Sequence, residues 1–217
     1  MSMSRKSEAP DYRMRVVAEL RQIEAPLWNR MAGTGPGAVF VRHEWLAALE
    51  SSGCVGGNTG WQPLHLLLED GAGNLQGAVP LYAKSHSYGE YVFDWAWADA
   101  YQRNGLEYYP KLLSAVPFTP IAGTRLLVQP GADGAEVRAA LAAGLSQRAS
   151  QAGISSVHVL FPDPPARQAL EDGGYMIRHG VQFHWQNQGF ADFDAFLAAM
   201  SQPKRKKIRA ERRKVTE

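Results

Sequence analysis

Cysteine is almost absent from this chain: Cys54 is the only one among 217 residues. That excludes a disulfide framework and any thiolate-based metal site, and it suits a reducing compartment. Long apolar runs are missing too. None approaches the ~20 residues needed to cross a bilayer, and residues 1–10 have no apolar core that would make a signal peptide. A soluble, cytoplasmic protein with a disordered start over residues 1–10 is the expectation. Also absent are a Gly-x-x-x-x-Gly-Lys-Ser/Thr loop, a Gly-x-Gly-x-x-Gly fingerprint, a Gly-x-Ser-x-Gly elbow and a His-Glu-x-x-His pair. What remains is an ordinary globular composition, 45% hydrophobic and 20% charged, with six Trp and eight Tyr. Its length suffices for one domain with a real core.

Charge is unevenly spread. Residues 204–217 hold eight of the 23 Lys and Arg and only two acids, a balance of +6, whereas residues 1–203 balance at −4. The run Lys204-Arg205-Lys206-Lys207-Ile208-Arg209-Ala210-Glu211-Arg212-Arg213-Lys214 reads as a helix with no capping Gly or Asn. A helix this charged buries little by itself and leans on a neighbour. It is expected to be a junction to a second domain beyond residue 217. It suits phosphate, nucleic acid through residues 204–214, or an acidic protein surface; a solvated helix face at a domain junction is the plainer reading.

Periodicity and turn residues order the rest. A first strand is expected near 12–17, helices over 23–31 and 43–52, and a hairpin of 61–69 and 75–84 around Asp70-Gly71-Ala72-Gly73-Asn74. Pro80 marks a bulge or an edge. Tyr91, Phe93, Trp95 and Trp97 recur at period two, as on an extended segment, with a helical pattern also open from Ala98. Strands follow at 125–129, 155–161 and 175–185, and helices at 135–151, 164–172 and 190–200. Strands alternating with helices predict an α/β layered fold, and the hairpin argues against a pure doubly wound sheet.

Several positions could carry chemistry. The strand-to-helix turn with Gln129, Gly131 and Gly134 could leave amides for a pyrophosphate, although Asp133 would repel an anion and an ordinary turn is the plainer reading. Asp94, among aromatics, could have a raised pKa and act as a base; equally, the aromatics could be core. On a strand, Gln182 and His184 share a face and could bind or move a proton. His179 and His184, five apart, do not share one, which argues against a metal pair. His158 reads as a sheet histidine.

Taken together, the strings Tyr91–Ala98, Tyr108–Leu112, Pro117-Phe118-Thr119-Pro120 with Gly123 and Arg125-Leu126, Ser156–Phe161, Gln182–Trp185 and Phe193–Leu197 ahead of Lys204–Arg209 resemble the bacterial FemAB-like, peptidoglycan biosynthesis/recognition family. The resemblance implies a GNAT-like fold, a mixed central sheet flanked by helices over residues 11–200, with residues 201–217 opening the passage to a second such domain. It implies N-acyl transfer to an amine-bearing acceptor, from acyl-CoA (acetyl-CoA) or aminoacyl-tRNA, without a metal. Under it, Asp94, His184 and Tyr109 are the catalytic candidates. Lys111, Gln182 and Trp95 are the substrate-binding candidates, Arg205 and Arg209 the phosphate contacts, and Gln129, Gly131 and Gly134 the cofactor turn. The competing expectation is a non-catalytic module that binds an acidic partner or nucleic acid.

Overall fold

The computed structural model describes residues 11–35 and 37–216; the expected disorder of residues 1–10 lies outside them. Contacts divide the chain into two units, Met1–Ile177 and Arg178–Glu217.

The first unit is organised by the hairpin. Asp70 closes its turn by accepting the amides of Ala72 and Asn74 at 3.0 and 2.8 Å, and Gly73 supplies the left-handed φ of +84°. Both arms are broken in the middle. The first is β2 (Trp61–Pro63) followed by β3 (His65–Glu69); the second is β4 (Leu75–Val79) followed by β5 (Tyr82–Lys84). The break has a local cause. Pro80 has no amide proton, and the Leu81 amide donates to the His65 ring Nδ1 at 3.3 Å. The Pro80 signal in the sequence thus marks a division of each arm between two sheets.

One sheet has the order β1 (Arg13–Val17), β3, β4, β7 (Leu127–Val128); the other has the order β2, β5, β6 (Lys111–Ser114), β8 (Val157–Val159). All pairings are antiparallel except β6 with β8. The fold is therefore mixed α/β, as the alternation predicted.

The three leucines of β3 show how both faces of the first sheet are used. Leu67 joins a core with Trp28, Met31 and Leu46 from α1 (Ala25–Ala32) and α2 (His43–Ser51). Leu66 and Leu68 join Val137, Leu141 and Leu145 of α4 (Gly134–Gln151) and Leu170 of α5 (Pro164–Asp172). A strand buried on both faces reads as a continuous apolar run. Gly77 lets α4 come close: a Cβ there would sit 2.7 Å from Val137 Cγ1 and 2.9 Å from the Leu127 carbonyl.

Two expectations are corrected. The period-two aromatics do not form a strand, because α3 (Trp95–Arg103) begins inside them. Tyr91, Phe93, Trp95 and Trp97 are all about half exposed or more. Residues 175–185 join neither sheet; alternation alone makes no strand without a partner to complete its ladder.

In the second unit, α6 (Phe193–Ala198) is capped by Asp192, whose carboxylate accepts the Ala195 amide at 2.7 Å. The basic helix α7 (Gln202–Thr216) packs on it through arginines at helical spacing. Arg205 donates to the Ala198 and Met200 carbonyls at 3.1 and 3.4 Å, Arg209 lies 3.5 Å from Asp194, and Arg212 stacks 4.1 Å over Phe193. Among the described residues, α7 thus packs on α6.

Candidate functional site

Register places the site on one face of the second sheet. Trp61 pairs with Lys84 and Pro63 with Tyr82; Tyr82 pairs with Leu113, Lys84 with Lys111 and Leu113 with His158. Paired residues share a face, so two lysines, the rings of Trp61 and Tyr82 and a histidine line it. The opposite face carries Leu112, Val157 and Val159 toward α4 and α5.

Lys84, Glu90, Asp94 and Lys111 are all buried. Two cations and two anions taken out of water must compensate one another. Lys111 Nζ donates to Glu90 Oε2 at 2.8 Å and to Asp94 Oδ2 in a shorter contact. Asp94 also accepts from the Tyr108 hydroxyl at 2.8 Å and from Tyr109 at 3.1 Å. Lys84 Nζ donates to the Tyr88 carbonyl at 3.1 Å and sits 3.8 Å over the Trp61 ring, a cation–π contact strengthened by burial. His158 Nε2 lies 3.3 Å from the Tyr108 hydroxyl and 3.0 Å from Ser156 Oγ. Tyr109, Ser156 and His158 are half-buried and form the accessible rim.

This wiring sets the proton affinities. Burial pushes Asp94 up, but the hydrogen bonds from Lys111 and Tyr108 outweigh it and leave the carboxyl below its ordinary range. A raised pKa at Asp94, expected from the aromatics around it, is not what its donors produce. The raised carboxyl is Glu90, where burial outweighs Lys111. Its Oε1 is buried without a hydrogen-bond partner. Burial lowers the Lys84 ammonium to about 8, against the opposing pull of Glu90. Burial, followed by the bond to Asp94, raises Tyr108; burial also raises Tyr109, so both phenols keep their protons near neutrality.

Of the residues singled out in the sequence, Asp94, Tyr109 and Lys111 come together here. Trp95, the first residue of α3, is exposed and touches Phe93 at 4.9 Å. His184 and Gln182 belong to the second unit. There His184 lines a groove of about 450 Å³ with Trp185, Phe190 and Phe196. Arg205 and Arg209 hold α7 to α6 as described above. The Gln129–Gly134 turn precedes α4, where Asp133 accepts the Ala135 and Glu136 amides at 3.0 and 3.1 Å. Those two helix-start donors are therefore engaged internally. Among the described residues no group of three or more His, Cys, Asp or Glu could hold a metal ion, and no helix is long and apolar enough to cross a membrane.

Sequence reasoning missed Lys84, Glu90 and Tyr108, and it left His158 as a plain sheet residue. Two lysines inside otherwise apolar strands, in Leu81–Lys84 and Lys111–Ser114, were the available signal, since lysine is rarely buried unless paired.

A family model described as "Peptidogalycan biosysnthesis/recognition", FemAB-like, matches residues 19–217. This chain belongs to the FemAB-like family. No curated protein matches it. Among solved structures, the FemAB-like chain is similar to aminoglycoside antibiotic 6'-N-acetyltransferase AAC(6')-Ih from Acinetobacter baumannii. The identity is 13%, the match covers 82% of this chain and 99% of that one, and the TM-score is 0.43, a likeness too slight to bear on function.

Proposed function

We propose that this chain is the first lobe of an N-acyltransferase with a GNAT-like fold. It would move an acyl or aminoacyl group from a thioester or ester donor, acyl-CoA or aminoacyl-tRNA, to an amine on a cell-wall-related acceptor. Membership of the FemAB-like family over residues 19–217 supports the reaction class. The observation that carries the site is the Tyr109–Asp94–Lys111 network, buried at Asp94 and Lys111 and half-exposed at Tyr109.

In such a transfer the amine nitrogen bonds to the carbonyl carbon, the C–S or C–O bond breaks, and the proton lost from nitrogen ends on the departing sulfur or oxygen, which leaves as a thiol or alcohol. Tyr109 donates its own proton to Asp94, so its oxygen offers a lone pair to an amine N–H. Lys111 keeps Asp94 ionised, which holds that orientation. Asp94 and Lys111 act as positioning residues, and Tyr109 is the contact with substrate. His158, half-buried at the rim, is the candidate for carrying that proton. His184 is proposed as a further catalytic group and Gln182 as a substrate contact, and Arg205 and Arg209 of α7 as contacts to a phosphate-bearing substrate. The Gln129–Gly134 turn has less support as a pyrophosphate site, because Asp133 caps it.

The test is calorimetric titration with acetyl-CoA and with aminoacyl-tRNA, followed by transfer of a radiolabelled acyl group to amine acceptors. Tyr109→Phe should fold normally and lower transfer by about tenfold or more, the usual scale of a lost positioning contact. A folded protein that binds neither donor and transfers nothing sinks the proposal.

A second reading has its own observation. Lys204, Lys206, Lys207 and Lys214 on α7 are exposed, a basic surface suited to nucleic acid. Affinity for tRNA should then fall steeply with salt; a flat salt response removes this reading.

A further inference from the structure

A groove of about 830 Å³ opens in the first unit between α2, the start of β2 and the glycine-rich loop 53–60. That volume is within the range of ligand sites, about 300–1,000 Å³. Three carboxylates line it, and two are neutralised locally. Glu19 pairs with Arg21, and Glu44 with Arg42. The third, Glu50, is different. Its Oε2 accepts the Leu20 amide at 2.8 Å and its Oε1 faces His65 Nε2 at 2.8 Å.

The tautomer of His65 follows from its other bond. Nδ1 accepts the Leu81 amide, so Nε2 carries the proton, donates to Glu50, and leaves the ring neutral. Both donors on Glu50 are therefore uncharged, and its negative charge is oriented but not cancelled. The His65 side chain is fully buried, whereas that of Glu50 is 13% exposed and lines the groove. Each of its oxygens retains acceptor capacity. Beside them is an orphan: the Tyr82 hydroxyl is buried without a hydrogen-bond partner and is close enough for the Glu50 charge to raise it further, after burial itself. Ala47, Ala48, Val55 and Pro63 give the walls an apolar character.

We infer that this groove binds an alkylammonium group, a primary amine in its cationic form on a short apolar stem such as a lysine side chain. Glu50, held by His65, is the anionic anchor, and the alanine and proline walls take the methylenes. The inference deepens the proposed function and rests on it for its use, since it names where the acceptor amine docks before it reacts. Behind Glu50, the ring series His65–Tyr82–Trp61, with centroid spacings of 5.4 and 5.3 Å, runs to Lys84 of the polar network.

The test uses the full chain and Nα-acetyl-lysine methylamide, which has one ammonium group, in a calorimetric or NMR titration at low ionic strength. Nα,Nε-diacetyl-lysine methylamide is the uncharged control. Binding of the first, with at least tenfold weaker binding of the control, is expected. Glu50→Gln removes the charge, keeps one of the two acceptor bonds and turns an amide NH2 toward the other donor, and should weaken binding at least tenfold. Should Glu50→Gln fail to fold, Ala48→Lys at the exposed rim supplies a rival cation and should abolish binding. Equal binding of both compounds, no binding of either, or unchanged affinity in a folded Glu50→Gln protein overturns the inference. The two proposals fail separately. Amine binding without any acyl transfer leaves the groove and removes the reaction. Acyl transfer with an unchanged amine KM in Glu50→Gln removes the groove and leaves the reaction.

Discussion

Lys84 and Lys111 face one another as register partners on adjacent antiparallel strands, and both are fully buried. Like charges opposed in this way repel. The pair persists because Glu90 and Asp94 arrive from the following segment and take the Lys111 ammonium between them, while the Trp61 ring and the Tyr88 carbonyl receive Lys84. The segment 85–94 is thus tied to the sheet by charge.

Removing one member should show this. Lys111→Ala leaves two buried carboxylates uncompensated, and breaking a buried pair in this way costs about 3–5 kcal/mol. Urea unfolding of Lys111→Ala beside the wild type measures it. A loss below about 1 kcal/mol would mean that the cluster contributes no net stability.

Stability should rise with pH between about 8 and 10 through Lys84. Burial lowers its folded-state pKa to about 8, against about 10.4 in the unfolded chain. Within that window the unfolded state binds more protons, so raising the pH favours folding. Below pH 8 the buried ammonium opposes folding in full. Lys84→Met should flatten the curve from pH 8 to 10, as read by urea midpoints at pH 7.5, 8.5 and 9.5. Parallel curves for the two proteins would refute the assignment.

Gly77→Ala probes the approach of α4 to the first sheet. The new methyl would meet Val137 at 2.7 Å and the Leu127 carbonyl at 2.9 Å. Overpacking of this kind costs about 1–3 kcal/mol. Thermal unfolding of the variant reports it, and a Tm at or above the wild-type value would contradict the packing described.

Arg212→Ala tests how the basic helix is held. It removes the guanidinium stacked 4.1 Å over Phe193, an exposed cation–π contact of about 0.5–1 kcal/mol. Hydrogen exchange over α6 and α7 should quicken by about two- to fivefold with residues 13–177 unaffected. Unchanged exchange in α7 would show that other contacts hold the helix.

Much of this was legible in the chain. The Asp70–Asn74 turn, the α4 and α5 helices and the alternation of strands with helices follow from local rules, because turn residues and apolar spacing act over a few residues. Asp94, Tyr109 and Lys111 could be picked out one by one. Their mutual contacts could not, nor could the partners Glu90, Lys84 and Tyr108. Those depend on β5 and β6 lying side by side and on segment 85–94 covering them. The aromatic stripe shows the same limit: period two at 91–97 is compatible with a strand, yet no ladder is offered there and α3 starts at Trp95. Segment 175–185 failed as a strand for the same reason.

By itself the sequence determined the thiol-poor chemistry, the mixed α/β class, the cationic run on α7 and the family to which the chain belongs, since each is a property of composition or of local pattern. The tertiary structure alone decided that Asp94 is held low and Glu90 high, that His65 is a neutral donor aimed at Glu50, and that each hairpin arm serves two sheets. Proton affinity and hydrogen-bond direction are set by neighbours in space, and those neighbours are separated by 15 residues or more along the chain in the bonds of His65 to Glu50 and of Lys111 to Asp94 and Glu90.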